Sequence, residues 1–117
     1  MNLESNIESK IYKLSSGLSE TIDVNDINKL LGILASDGVY AIWVYANDKF
    51  KKDQQKMNKI KDVIKKLNNF VSDNRNEDID DKYFQNLAQD LNKLLFMKEL
   101  LEKVLIYARY HAKAKGD

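Results

Sequence analysis

The sequence predicts an all-α, single-domain bundle of five or six helices, and three observations carry that prediction. Apolar residues recur at three- and four-residue spacing along most of the chain, the period of a helix with one buried face. There is no proline and there are only four glycines, so little interrupts a helix, and a turn-rich β architecture is disfavoured. No run of four or more residues alternates between apolar and polar as a half-buried strand does. A length of 117 residues with 44% hydrophobic content is one domain with enough material for a core.

The elements follow in order. Leu3, Ile7, Ile11 and Leu14 sit on one helical face, which predicts a first helix over residues 2–16, closed by Ser15-Ser16-Gly17. Asp23 and Asn25 are both good N-cap types, and a second helix begins near them and buries Ile27, Leu30, Leu31 and Leu34. Ser36-Asp37-Gly38 stops or kinks it. The following run, Val39 to Ala46, is apolar or aromatic at every position and forms a third helix over residues 39–50. A helix that is apolar all round is normally buried, so Trp43 is expected in the core, burying on the order of 150–250 Å². The run is far shorter than the ~20 residues that cross a bilayer.

A fourth helix covers about 53–71, with Met57, Ile60, Ile64, Leu67 and Val71 as its stripe. Ser72 to Asp78 is polar and reads as a loop. From Asp80 to about Ala114 no breaker occurs, so this segment is either one very long helix or two, bent near Asn92.

The formal charge of +1 conceals blocks of opposite sign. Residues 1–48 carry a net −4, residues 49–72 a net +6, residues 73–91 a net −4 and residues 92–117 a net +3. Alternating blocks suit ordered assembly or a polyanion on one side. There is no cysteine, hence no disulfide framework and no thiolate nucleophile or metal ligand. The N-terminal residues do not read as a basic-plus-apolar leader, which predicts a cytoplasmic, untargeted protein.

Enzymatic readings find little support. His111 is the single histidine, and no zinc-protease, phosphate-loop or nucleophile-elbow spacing occurs. The acidic group Glu77, Asp78, Asp80 and Asp81 fails the calcium-loop template, because Arg75 and Asp78 stand where a ligand and a glycine are needed. Acids completing the dipole of a helix N-terminus account for it better. We therefore expect no catalytic residue, no metal site and no cofactor.

Two surfaces are candidates for binding. Lys49, Lys51, Lys52, Lys56, Lys59, Lys61, Lys65 and Lys66 share one amphipathic stretch against Asp53 and Asp62. They flank and oppose the apolar stripe, either as a solvated face or as a surface that tracks a nucleic-acid backbone. Lys49, Lys52, Lys56 and Lys59 are the candidate contacts there. In the last helix Met97, Leu101, Val104, Leu105, Ala108 and Ala112 make a core stripe. Phe96, Lys103, Tyr107 and Tyr110 fall on nearly the opposite side, beside Arg109 and Lys113. Aromatic and basic residues together mark a subunit interface or a grip on single-stranded nucleic acid. Phe96, Tyr107 and Tyr110 are assigned to the former, and Arg109 and Lys113 to the latter.

The pattern L-x-x-L-x-x-x-G on Leu31, Leu34 and Gly38, followed directly by Val39-Tyr40-Ala41-Ile42-Trp43-Val44-Tyr45-Ala46, resembles the small helical subunit of type III-B CRISPR effector complexes, the Cmr complexes. The closing segment Leu100 to Ala114 is similar in type to that family's last helix. The resemblance covers roughly residues 27–50 and 93–114. It implies a non-catalytic subunit that stacks with copies of itself along the guide RNA–target RNA duplex. It also implies other CRISPR effector subunits as partners, with cleavage left to them. A helical adaptor or self-associating module without a nucleic-acid role is the alternative the residues leave open.

Overall fold

Among the described residues, four of six helices open on an aspartate whose carboxylate accepts from the backbone N–H three residues on. Asp23 accepts from Asp26, Asp53 from Lys56, Asp80 from Tyr83 and Asp90 from Lys93, at 2.9 to 3.2 Å. Each cap satisfies one of the donors a helix start leaves unpaired, an effect of about 1 kcal/mol. The computed structural model describes residues 3–74 and 77–116. Its helices are α1 (Leu3–Thr21), α2 (Val24–Asp37), α3 (Val39–Lys49), α4 (Gln54–Val71), α5 (Asp81–Ala88) and α6 (Leu91–Ala114). The protein is an all-α bundle, with no strand among the described residues.

Helix α6 is the axis of the packing: it touches each of the other five, most extensively α1 and then α2. Its stripe Met97, Leu101, Val104, Leu105, Ala108 and Ala112 is buried as its spacing requires. The stripes of α2 (Ile27, Leu30, Leu34) and α4 (Met57, Ile60, Ile64, Leu67, Val71) are buried too, with Leu31 only half-buried beside them. The molecule measures 38 × 37 × 25 Å.

Three expectations are corrected. Helix α1 does not close at Ser15-Ser16-Gly17 but runs on to Thr21. The buried Ser15 and Ser19 hydroxyls donate to the carbonyls of Tyr12 and Ser16, at 2.9 and 2.7 Å, so neither serine is left unsatisfied inside the helix. Leu18 and Ile22 then continue the buried stripe past the expected stop. The segment from Asp80 onward is two helices, and the break falls at Gln89-Asp90 rather than Asn92. The Asp90 carboxylate starts a new helix there instead of letting the old one continue.

The third correction concerns α3, which is buried on one face only. Val39, Ile42, Trp43 and Ala46 are in the core, while Tyr40 and Val44 are exposed. The neighbours of this helix, α2, α4, α5 and α6, cover one side of it and leave the other open. Trp43 itself is buried as expected, 4% exposed. The start of the first helix at residue 2, and Arg75 and Asn76 within the 72–78 loop, lie outside the described residues.

The loop between α4 and α5 is tied down by buried polar groups. Tyr83 donates its phenol O–H to Asn68 Oδ1 at 2.8 Å, and Asn68 Nδ2 donates to the Asn74 carbonyl at 3.1 Å. Burial pushes the Tyr83 phenol well above its ordinary pKa, and the Glu77 carboxylate adds to the rise. The acidic group sorts as an N-terminus should: Asp80 caps α5 and Asp81 lies in its first turn. Among the described residues no group of three or more His, Asp or Glu side chains is placed to hold a metal ion, and no helix is long and apolar enough to cross a membrane.

Candidate interaction surfaces

The lysine stretch begins at the corner between α3 and α4 and then divides. Lys49 and Lys52 are exposed at the corner, with Lys51 between them 3.7 Å from Asp48. Lys56 leans inward from the first turn of α4. Its Nζ lies 3.6 Å from Asp26 Oδ2 of α2 and 5.7 Å from the Phe50 ring centroid. Lys59 lies against Gly17 of α1: a Cβ built at Gly17 would stand 2.9 Å from its Nζ. On the other flank Lys61 lies over the Trp43 ring at 5.7 Å. At 100° per residue these lysines bracket the buried stripe from both sides, with stems covering apolar surface and heads reaching water. Of the four candidate contacts, then, Lys49 and Lys52 stand clear of the bundle, while Lys56 and Lys59 are held against α2 and α1.

The second surface is built on α6. Tyr107 and Tyr110 are half or more exposed, with ring centroids 6.5 Å apart. The Arg109 guanidinium lies 5.6 Å from the Tyr110 centroid, and its Nε is buried without a hydrogen-bond partner in the structure. Lys113 is exposed one turn on from Arg109. Phe96 is half-buried against the core and does not meet Tyr110; it faces the cleft between α1 and α6.

That cleft is a groove of about 560 Å³, floored by Ile7, Ile11, Phe96 and Leu100 and rimmed by Tyr12 and Tyr107. Glu8, Glu99 and Lys103 supply its charges. The groove brings Phe96 and Tyr107 together. It also adds Tyr12, 64% exposed, which the sequence reading did not single out. The signal was present: Tyr12 follows Ile11 and so falls just off the apolar stripe of α1, where a large aromatic has no core to enter. His111 does not line the groove but sets its half-buried ring edge-on to Tyr12 at 5.2 Å.

A third, shallower depression is lined by Tyr40, Trp43, Val44, Asn47 and Asp80 to Lys82. It coincides with the open face of α3. Trp43 stacks on Phe84 at 4.9 Å and 28°, and its indole N–H reaches Asp81 at the floor.

No protein-family model, curated protein or solved structure matches the chain.

Proposed function

We propose that this chain is a non-catalytic small subunit of a CRISPR RNA-guided effector complex. It works by stacking along the guide–target duplex and contributing positive surface beside the RNA. The observation that carries the reading is where its two resembling segments lie. Residues 27–50 are α2, the Gly38 corner and α3; residues 93–114 are nearly all of α6, and α6 packs against both of those helices. The resembling segments thus form one packed body rather than scattered similarities. Gly38, at φ 95° and ψ −173°, takes a backbone conformation open essentially to glycine alone, which gives the glycine of the pattern a physical reason. Exposed Lys49 and Lys52 on one corner, and Lys113 beside Arg109 on α6, are the positive groups available to RNA phosphates. The chain works in the cytoplasm, and cleavage belongs to partner subunits.

One observation favours a second reading, a protein-docking module without an RNA role. The α1–α6 groove is apolar on its floor and rimmed by tyrosines, a composition suited to a partner side chain. The deciding experiment is affinity purification of the tagged chain from its native host, with the bound RNA sequenced and co-purifying proteins identified. Guide RNA together with effector subunits is the expected result. Recovery of protein partners without RNA sinks the first reading and leaves the second. A gene lying outside any cluster of CRISPR effector genes also counts against the first.

A further inference from the structure

Between Lys103 and Lys113 the outer side of α6 carries no acid: the segment reads Lys-Val-Leu-Ile-Tyr-Ala-Arg-Tyr-His-Ala-Lys. Lys103, Tyr107, Tyr110 and Lys113 follow at i, i+4, i+7 and i+10, so they occupy about a third of the helix circumference. All four are exposed, with Tyr107 at 50% and Tyr110 at 57%. The two lysines bracket the two rings over about 15 Å of helix, at 1.5 Å per residue. The rings stand 6.5 Å apart and tilted by 54°, too open for one to cover the other's face. Arg109 fixes one side of Tyr110 from 5.6 Å.

We infer that this strip is a binding site for unpaired nucleotides of an RNA strand. Tyr107 and Tyr110 each stack one base, and Lys103 and Lys113 contact the phosphates on either side. The inference rests on the RNA-binding reading above and adds to it the ligand class and the residues. Three features favour a single strand over a protein partner. Flat π-faces are presented to solvent at two neighbouring positions, a base-sized surface that accepts any sequence. Positive charge lies at both ends of the strip, as a backbone passing over it requires. Within the strip itself no carboxylate interrupts that charge; Glu8 and Glu99 line the adjoining groove, which Lys103 and Tyr107 share. A base-paired duplex hides its base faces, so the site discriminates single from double strands.

The test uses the full chain and a short oligouridine containing 4-thiouridine, which crosslinks on irradiation even when binding is weak. Mass spectrometry of the adducts should place them on Tyr107 or Tyr110. In parallel, anisotropy titration at low salt compares oligouridine with an abasic ribose-phosphate strand of equal length. Tyr107→Ala with Tyr110→Ala should weaken oligouridine binding on the order of 10-fold or more and leave abasic binding unchanged. Tyr107→Phe with Tyr110→Phe should bind like the wild type, since the ring remains. Lys103→Gln with Lys113→Gln should weaken both strands alike. Unchanged Trp43 emission establishes that each variant is folded.

If the alanine variant binds oligouridine as the wild type does, the stacking site is overturned while RNA binding stands. If the wild-type chain binds neither strand and does not crosslink to the thiouridine strand, both this inference and the RNA-binding reading fall. Loss of a protein partner from the alanine variant, without loss of RNA binding, assigns the strip to a protein interface and overturns the proposal.

Discussion

The Trp43 indole N–H donates to the Asp81 carboxylate at 2.6 Å, joining α3 to the first turn of α5 across 38 positions of sequence. One contact therefore settles the partner of the core tryptophan and a role for one acid of the cluster before α5. The ring is stacked on Phe84 and only 4% exposed, while Asp81 itself lies at the surface, so the contact sits at the edge of the core.

Removing the acceptor leaves the indole N–H without its carboxylate. Asp81→Ala should lower stability by about 1.5–3 kcal/mol, the range for a hydrogen bond to a charged group. Asp80→Ala, which removes the α5 cap instead, should cost about 1 kcal/mol. Urea unfolding followed by Trp43 fluorescence measures both. Equal stability of Asp81→Ala and wild type makes the contact incidental.

Tyr83 is protonated and buried against Asn68, with its phenol pKa held above the unfolded value of about 10. Above that pH the unfolded chain releases the phenol proton while the folded chain keeps it, so the folded state binds more protons and stability falls as pH rises. Between about pH 8 and about pH 11 the wild type should therefore lose more stability than Tyr83→Phe. At neutral pH the substitution itself should cost about 1–3 kcal/mol, because Asn68 Oδ1 loses its donor. Parallel slopes with pH for the two proteins refute the assignment.

Two glycines of the same helix–corner unit should respond with opposite signs. Gly38 holds φ 95° between α2 and α3, so Gly38→Ala should destabilise by about 1–3 kcal/mol. Gly32 lies within α2 with nothing near an added Cβ, so Gly32→Ala should stabilise by about 0.5–1 kcal/mol. Thermal unfolding of the pair reads both, and destabilisation by Gly32→Ala is the outcome that contradicts the helix assignment.

The lysines separate by placement. Reversing Lys49 and Lys52 to glutamate should leave stability within about 0.5 kcal/mol of wild type and, on the RNA-binding function proposed above, weaken RNA capture by the complex equally for unrelated sequences. Lys56→Glu faces Asp26 at the position where the ion pair stood, and should cost about 1 kcal/mol of stability as well. RNA capture measured across salt concentrations, beside denaturation of each variant, tests the pair of claims. If the corner variant captures RNA as well as wild type, Lys49 and Lys52 only solubilise the protein.

Much of the fold was legible in the sequence because helical periodicity is a local signal. The stripes of α2, α4 and α6, the stop at Gly38 and the burial of Trp43 each follow from residues within a few turns of one another. Local signals failed where two answers were locally acceptable. Ser15-Ser16-Gly17 serves as a stop or as helix interior; packing of Leu18 and Ile22 against the bundle, with the serine hydroxyls turned onto carbonyls, selected the interior. The apolar run of α3 named a buried helix but not its covered side, because that depends on neighbours distant in sequence.

The candidate surfaces divide in the same way. Composition and spacing determined that basic and aromatic side chains would crowd α4 and α6. Only the tertiary structure decided that Lys56 and Lys59 are engaged by α2 and α1, and that Phe96 joins Tyr12 and Tyr107 in a groove. Charge and amphipathicity belong to the residues themselves, whereas a contact between helices depends on their mutual orientation, set by how the whole set of apolar stripes packs at once.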